Sequence, residues 1–188
     1  MKHRLFTAID LPDTTVSEIV TLQPQLEKLK APLVWEKRPH MTLNFLGQIP
    51  DDEVPLVKKA LTQATQSAYQ FTLQPLYVET LYSRHEPTIL YLSLAKSEEL
   101  NDLHKSLIVN LESITPQPRK FLPHITIAQL RRTDPVSTKR FMDLISDFES
   151  PQFTPLTVEK ISLYQSLITQ AGTTHQKLAT FMLQSLLL

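Results

Sequence analysis

The 188-residue sequence predicts an α+β fold made of two similar halves, and two observations support this prediction. First, segments with apolar residues at every second position alternate with segments of helical periodicity. Second, the pattern Pro-His-apolar-Thr-apolar occurs twice, as PHMTL at 39–43 and as PHITI at 123–127. We therefore predict two lobes related by an approximate two-fold axis. Each lobe should be a mainly antiparallel sheet with helices on its outer face, and the lobes should enclose a central cleft.

The first half begins with a strand at Arg4–Ile9, followed by a helix that Asp13 or Thr14 can cap and that Pro24 should kink or interrupt. Three further elements are predicted before the middle of the chain. They are a short strand LVWEK at 33–37, a longer strand HMTLNFLG at 40–47, and a helix from the acidic segment 51–53 to about Ala68.

The second half repeats the alternation of strands and helices. The predicted elements begin with a strand at Phe71–Thr80, a polar connection YSRHEP at 82–87, a strand at Ile89–Leu94 and a helix capped by Ser97. A Pro-rich loop at 115–123 then leads to a strand HITIAQL at 124–130 and a helix at 134–148. A closing strand pair is predicted at Thr157–Ser166 and His175–Leu183, around Gly172.

Composition is that of one globular domain, with 41% hydrophobic and 20% charged residues and a formal net charge of zero. We expect residues 1–188 to form a single bilobal domain. A neutral chain does not favour a broad surface that follows the phosphates of long nucleic acids. The absence of Cys excludes disulfides and Cys-based metal or redox sites. With only two glycines, the chain has no Gly-rich phosphate loop, so side chains would have to hold any bound phosphate.

The chain shows no targeting or membrane-spanning pattern. No apolar run approaches the roughly 18 residues of a membrane helix. The first ten residues read as a strand rather than as the apolar core of a signal peptide. We therefore expect a cytoplasmic, monomeric protein that does not bind membranes.

Strand alternation places the motif histidines and threonines together. His40 and Thr42 should share one face of their strand, with Met41, Leu43 and Phe45 on the opposite face. The same alternation puts His124 and Thr126 on one face of the second motif strand. If the two strands lie side by side near the axis, the cleft receives two imidazoles and two hydroxyls.

Such a set of side chains is suited to phosphodiester cleavage without a metal. Histidine has an ordinary pKa of about 6.5, so one imidazole can accept a proton while the other donates one. Threonine hydroxyls can donate hydrogen bonds to phosphate oxygens. No cofactor is implied.

Three other interpretations remain open. A single His-x-Thr strand is more often a structural hydrogen-bonded pair, but the repeat disfavours this. Two histidines could ligate zinc, but a third ligand is expected and the sequence shows no suitable His spacing. A nucleotide-binding or RNA-end-binding protein is also possible, with Trp35, Phe45, Tyr82 and Tyr91 as candidate stacking groups. For Phe45, alternation favours core packing. His3, His85, His104 and His175 are assigned no role, and His104 is interpreted as a solvated helix residue.

The paired motifs resemble those of the two-histidine phosphoesterase superfamily. Within it, the chain resembles the RNA 2′,3′-cyclic phosphodiesterases, also called 2′-5′ RNA ligases. The resemblance covers nearly the whole chain. Its residues are RLFTAIDLP at 4–12, VWEKRPHMTLNFLG at 34–47, ILYLSL at 89–94, RKFLPHITIAQL at 119–130, and the C-terminal SLYQSLITQAG and HQKLATFML.

The resemblance implies hydrolysis of 2′,3′-cyclic phosphate ends of RNA or small nucleotides to 2′-phosphates, and the reverse 2′-5′ ligation. It implies that His40 is the general acid and His124 the general base, and that Thr42 and Thr126 hold the phosphate. Another cyclic or 2′-5′-linked nucleotide is the alternative substrate.

The sequence also departs from the family pattern. Gln129 occupies a position where the family often has Arg, and Arg131 or Arg132 could substitute for it. Asn44 stands at a position where the family often has a basic residue. The Tyr that the family often has after the C-terminal Gly is missing from this chain, which has His175 nearby. Asn44, Gln129, Arg131 and Arg132 are therefore candidate substrate contacts.

Overall fold

The computed structural model describes residues 1–83, 86–116, 121–131, 134–169 and 172–185. The fold is α+β, as predicted. The strands are β1 (Lys2–Asp10), β2 (Leu33–Trp35), β3 (His40–Pro50), β4 (Phe71–Leu73), β5 (Pro75–Ser83), β6 (Glu86–Leu94), β7 (His124–Leu130), β8 (Leu156–Val158), β9 (Lys160–Thr169) and β10 (Gly172–Met182). The helices are α1 (Asp13–Glu27), α2 (Val54–Gln66), α3 (Glu98–Leu111) and α4 (Pro135–Ser146), and a 3₁₀ turn at Asp51–Glu53 leads into α2.

Two four-stranded antiparallel sheets form the framework of the molecule. The first has the strand order β10-β9-β1-β3, and the second has the order β2-β7-β6-β5. Each sheet contains one motif strand, β3 in the first and β7 in the second. Strand β2 comes from the chain just before β3 but pairs with β7, so the lead-in to the first motif crosses to the other sheet.

The helices attach to the sheets through apolar stripes with helical spacing. Helix α3, for example, buries Leu100, Leu103, Leu107 and Leu111, and it packs against α2. These side chains join the buried residues of both sheets in one hydrophobic cluster. The burial of this continuous apolar surface is the main force that holds the two sheets together.

The structure corrects several predicted boundaries. Helix α1 continues through Pro24 to Glu27 and is not interrupted at the proline. Pro24 lies in the last turn, and the hydrogen bond that it cannot donate would have gone to the carbonyl of Val20, on the exposed side of the helix. The strand predicted at Phe71–Thr80 is divided into β4 and β5, and β4 pairs with β8 in a small sheet that was not predicted. The predicted connection at 82–87 lies largely within the β5–β6 hairpin, and Arg84 and His85 lie outside the described residues.

Both motif strands carry a β-bulge directly after the motif threonine. In β3, Thr42 pairs with Ala8 and Asn44 with Thr7, so Leu43 has no partner across the ladder. In β7, Thr126 and Ala128 pair with consecutive residues of β6, and Ile127 is the unpaired residue. A bulge inserts one residue and reverses the alternation of side chains beyond it.

This reversal explains why the prediction for Phe45 is wrong. Phe45 was expected in the core, opposite His40, but its side chain is 66% exposed and its ring centroid lies 6.2 Å from that of Phe6. Asn44, which unbroken alternation would place on the same face as His40, is instead buried. In the second motif Ala128 is buried and Gln129 exposed, so the two strands change face at equivalent positions.

Candidate active site

The two motif histidines are held in the same way. The Nδ1 atom of His40 lies 2.9 Å from the carbonyl oxygen of Arg38, and Nδ1 of His124 lies 2.8 Å from that of Leu122. A carbonyl oxygen can only accept a hydrogen bond, so each Nδ1 carries a hydrogen and donates it. In the neutral ring the lone pair is then on Nε2. In each ring Nδ1 is thus bonded to the main chain, and Nε2 does not take part in that bond.

The motif prolines help to form these anchors. Pro39 and Pro123 each lie between the anchoring carbonyl and the histidine that donates to it. Proline fixes its own φ and restricts the preceding residue to extended conformations. It cannot donate to a sheet ladder, and both motif strands begin at the residue after it, as predicted. The repeated Pro-His pair is therefore a short rigid unit that orients an imidazole at a strand start.

The two motif strands contact each other although they belong to different sheets. Their lead-ins strengthen this contact, because the backbone N–H of Glu36 donates a 2.8 Å hydrogen bond to the carbonyl of Ile127. Ile127 is the bulge residue of β7, and Glu36 lies four residues before His40. The structure therefore places the two motif strands in contact across the two sheets.

His40 lies in a cluster of aromatic rings on the first sheet. Its ring centroid is 5.2 Å from that of Phe6, 6.4 Å from that of Tyr164 and 5.5 Å from that of His175. Phe6 is the centre of the cluster, because it also stacks on Tyr164 at 5.3 Å and meets the edge of His175 at 4.9 Å. The His40 ring thus has an apolar support beneath it.

Asp10 forms a polar network beside this cluster and pairs with His40 across the β1–β3 ladder. Its carboxylate accepts hydrogen bonds from Ser162 at 2.8 Å, from Lys177 at 2.7 Å, and from the hydroxyl of Tyr164. Burial alone would raise the pKa of Asp10, but these hydrogen bonds outweigh it and lower the pKa below its ordinary value. Asp10 therefore stays ionised and orients Tyr164.

Two adjoining cavities open next to His40. One has a volume of about 230 Å³ and is lined by His40, Phe6, Asp10 and Tyr164 among others. The second, of about 240 Å³, lies between Glu36 and the start of β10. Both share Lys37, Arg38 and His175, so basic side chains border the space beside the histidine.

His175 forms part of both cavities, although no role was predicted for it from the sequence. Its Nδ1 lies 3.4 Å from the hydroxyl of Ser166 on the paired strand. Burial lowers the pKa of His175, and the neighbouring charge of His40 lowers it further. The resemblance to the family pointed to this position as a departure, but only the pairing of β9 with β10 brings it next to His40.

His124 has a different neighbour on the second sheet. The ring of Tyr91 meets it edge-on, with centroids 5.5 Å apart, and the Tyr91 hydroxyl donates a 2.7 Å hydrogen bond to Glu79. Burial and this carboxylate raise the pKa of Tyr91 to about 12. Tyr91 is buried and is therefore a support for His124 rather than an exposed stacking group.

The remaining predicted site residues have different locations. Thr42 and Thr126 are half-buried on the same strand faces as their histidines. Asn44 is only 1% exposed and accepts a 3.5 Å hydrogen bond from Thr7, so its side chain lies in the interior. The bulge is the reason, since it turns this side chain inward. Gln129 and Arg131 are exposed, and Arg132 lies outside the described residues.

Within the described ranges, no three His, Asp or Glu side chains form a group that could hold a metal ion. In the same part of the chain, none of the helices is long and apolar enough to cross a membrane.

Two contacting sheets, each presenting a His-x-Thr strand, define the architecture of a two-histidine phosphoesterase. The model of the 2′-5′ RNA ligase superfamily matches residues 11–167, and the chain belongs to that family.

Relatives agree with this assignment, and solved structures share the fold. The RNA 2′,3′-cyclic phosphodiesterase of Methanocaldococcus jannaschii is 26% identical over 174 residues, covering 90% of this chain and 94% of that protein. That of Archaeoglobus fulgidus is 22% identical, covering 95% and 99%. Among structures, TT0787 of Thermus thermophilus matches with a TM-score of 0.75 at 21% identity, covering 97% of this chain and 99% of that one. E. coli LigT in its apo form matches with a TM-score of 0.73 at 20% identity, covering 97% and 98%.

Proposed function

We propose that this protein is an RNA 2′,3′-cyclic phosphodiesterase that works as one bilobal domain and requires no metal ion. Its substrates are RNA ends or small nucleotides bearing a 2′,3′-cyclic phosphate, and its product is the 2′-phosphomonoester. The names of the curated relatives support the substrate class. The anchoring of His40 and His124 supports the mechanism.

In the proposed reaction His124 takes a proton from a water molecule through Nε2, and the water oxygen forms a new bond to phosphorus. The bond between phosphorus and the 3′ oxygen breaks. His40, protonated on both nitrogens, gives its Nε2 proton to the departing 3′ oxygen. Thr42 and Thr126 donate hydrogen bonds to the non-bridging oxygens. When the 5′-hydroxyl of an RNA takes the place of water, the same groups give 2′-5′ ligation.

The observation that carries this proposal is the matched pair of hydrogen bonds from Nδ1 to the carbonyls of Arg38 and Leu122. These bonds define which nitrogen of each ring is available, and they do so for two histidines on strands in contact. Two equivalent imidazoles can work as acid and base in one step, each contributing typically 10²- to 10⁴-fold.

The proposal predicts turnover in the presence of chelator. An oligoribonucleotide ending in a 2′,3′-cyclic phosphate should be converted completely to the 2′-phosphate in EDTA, at the rate seen without EDTA. Mass spectrometry shows the addition of one water, and a 2′-phosphate is distinguished from a 3′-phosphate by reference oligonucleotides. Loss of activity in EDTA, restored by a divalent metal, would contradict metal independence. A 3′-phosphate product would contradict the proposed direction of bond cleavage.

A further inference from the structure

The second of the two cavities beside His40 has no part in the proposed proton transfers. Its volume is about 240 Å³, and it lies between the lead-in to the first motif and the start of β10. Its walls are formed by Glu36, Lys37, Arg38, Thr173, Thr174 and His175. Because Lys37, Arg38 and His175 also border the first cavity, a group bound in the second cavity would lie next to a phosphate held at His40.

The second cavity has two cationic side chains without salt-bridge partners. Lys37 and Arg38 are exposed, and neither forms a salt bridge within the described part of the chain. The whole chain has a net charge of zero, so this local positive charge does not come from a generally basic surface. Adjacent ammonium and guanidinium groups are suited to an anion, and the planar guanidinium matches the geometry of phosphate oxygens.

The carboxylate in the second cavity is bonded to the main chain. Oε1 of Glu36 accepts a 3.2 Å hydrogen bond from the backbone N–H of Arg38. The cationic side chains of Lys37 and Arg38 outnumber this single carboxylate, so the net charge of the walls is positive before His175 is counted. The first cavity instead contains the ionised carboxylate of Asp10 among mostly apolar and aromatic side chains. A further anion beside His40 is therefore favoured in the second cavity.

His175 and two threonines supply neutral hydrogen-bond donors to the second cavity. Nδ1 of His175 lies 3.4 Å from the hydroxyl of Ser166. When that hydroxyl donates to Nδ1, the hydrogen of the neutral ring is on Nε2. Thr173 and Thr174 are exposed at the start of β10, and their hydroxyls can donate to phosphate oxygens. The second cavity thus combines positive charge with donors, as phosphate-binding side chains in proteins commonly do.

The size of the second cavity fits a single group such as a phosphate. Pockets that enclose a drug-sized molecule usually have volumes of about 300–1,000 Å³, and this cavity is smaller. In RNA, the anion nearest to a terminal 2′,3′-cyclic phosphate is the phosphodiester on the 5′ carbon of the same ribose. Only that ribose separates the two phosphates, so two adjoining cavities can hold them.

We propose that the second cavity binds the phosphate on the 5′ side of the terminal nucleotide, in an RNA chain or as a free 5′-phosphate. Lys37 and Arg38 supply the charge for this subsite. The preferred substrate then carries two phosphates on its terminal ribose, and a nucleoside 2′,3′-cyclic phosphate without a 5′-phosphate is a poor substrate. The inference rests on the proposed function for the identity of the first phosphate.

The test compares the Kd of the protein for adenosine 2′,5′-bisphosphate and for adenosine 2′-phosphate, measured by calorimetry at constant ionic strength. These compounds differ only in the 5′-phosphate. We expect the native protein to bind the bisphosphate at least about tenfold more tightly. Lys37→Gln and Arg38→Gln each remove one charge and should each reduce this preference at least about threefold, and the double variant should abolish it. Arg38→Gln keeps the main-chain carbonyl that anchors His40.

Lys59→Gln is the matched control. Lys59 is an exposed lysine of α2 that lines neither cavity, so this variant should keep the native preference for the bisphosphate. An equal loss of preference in Lys59→Gln would show that the effect comes from overall charge, and the proposal would be wrong. It would also be wrong if the native preference were below about threefold, or if the double variant retained it.

Turnover distinguishes failure of this inference from failure of the proposed function. We expect adenosine 2′,3′-cyclic phosphate that carries a 5′-phosphate to be hydrolysed with a kcat/KM at least about tenfold above that of the same compound without it. Equal kcat/KM values for the two compounds would overturn the second subsite and leave the proposed function intact. If neither compound were hydrolysed, but the bisphosphate preference still depended on Lys37 and Arg38, the proposed function would fail and the subsite would be supported.

Discussion

His124→Asn should lower kcat/KM for a 2′,3′-cyclic phosphate end by about 10²-fold or more without unfolding the protein. Asn places an amide N–H near the position of Nδ1, so the hydrogen bond to the carbonyl of Leu122 can persist. The variant removes Nε2, the atom assigned to proton transfer. His40→Asn should have a comparable effect for the same reason, since the carbonyl of Arg38 keeps its donor.

His3→Asn is the control for both variants. His3 is also a strand histidine, but it lies at the far end of β1 from His40 and pairs with Asp51 at 2.8 Å. Its activity should stay within about twofold of native, and circular dichroism should be unchanged in all three variants. If either motif variant kept more than a tenth of the native kcat/KM, its histidine would not be a proton-transfer group in the slow step.

The second large effect is expected from Phe6→Ala, which should destabilise the protein by about 3–5 kcal/mol. Phe6 is only 1% exposed, and its ring contacts those of His40, Tyr164 and His175. Removal of the ring leaves a cavity beneath the ring of His40. We expect kcat/KM to fall as well, because the His40 ring loses its support. Urea unfolding measures the stability, and kinetics well below the unfolding midpoint measure the activity.

Phe45→Ala is the matched comparison for Phe6→Ala. Phe45 contacts the same cluster, but its side chain is 66% exposed. Truncation of Phe45 to Ala therefore removes little buried apolar surface. A cost below about 1 kcal/mol is expected, as for most exposed positions. Equal effects of the two substitutions would contradict the view that Phe6 is the buried centre of the cluster.

The two motif strands were predictable because they follow simple rules. Alternation along a strand and the strand-starting role of proline were enough to place His40 with Thr42 and His124 with Thr126. The repeat then indicated that the two strands belong together. Both rules depend only on residues that are close together in the sequence, so they can be applied without knowledge of the fold.

The bulges were not predictable in the same way. A bulge is defined by the register of a partner strand, here β1 for Leu43 and β6 for Ile127, and no residue within the motifs marks it. Without the bulge, alternation predicted Phe45 as a core residue, but the structure shows it exposed. Asn44 was named as a candidate substrate contact because the family often has a basic residue at its position, and the bulge buries its side chain.

Long-range contacts account for the other omissions. Asp10 meets Tyr164 and Lys177 only because β1 pairs with β9 and β9 with β10. His104 lies on α3, and the leucines of that helix correctly predicted which face of the helix is buried. His104 comes four residues after Leu100 and three before Leu107, so it belongs to the same buried face. The signal was present, but the polar character of histidine led to the wrong interpretation.

The most direct test of the acid and base assignments uses a substrate in which sulfur replaces the bridging 3′ oxygen of the cyclic phosphate. A thiol has an ordinary pKa of about 8.5, so the thiolate can leave without receiving a proton. We predict that His40→Asn, which is slow with the oxygen substrate, approaches the native rate with the sulfur substrate. His124→Asn should remain slow with both. Rescue of His124→Asn, or rescue of neither variant, would contradict the assignment of His40 as the acid and His124 as the base.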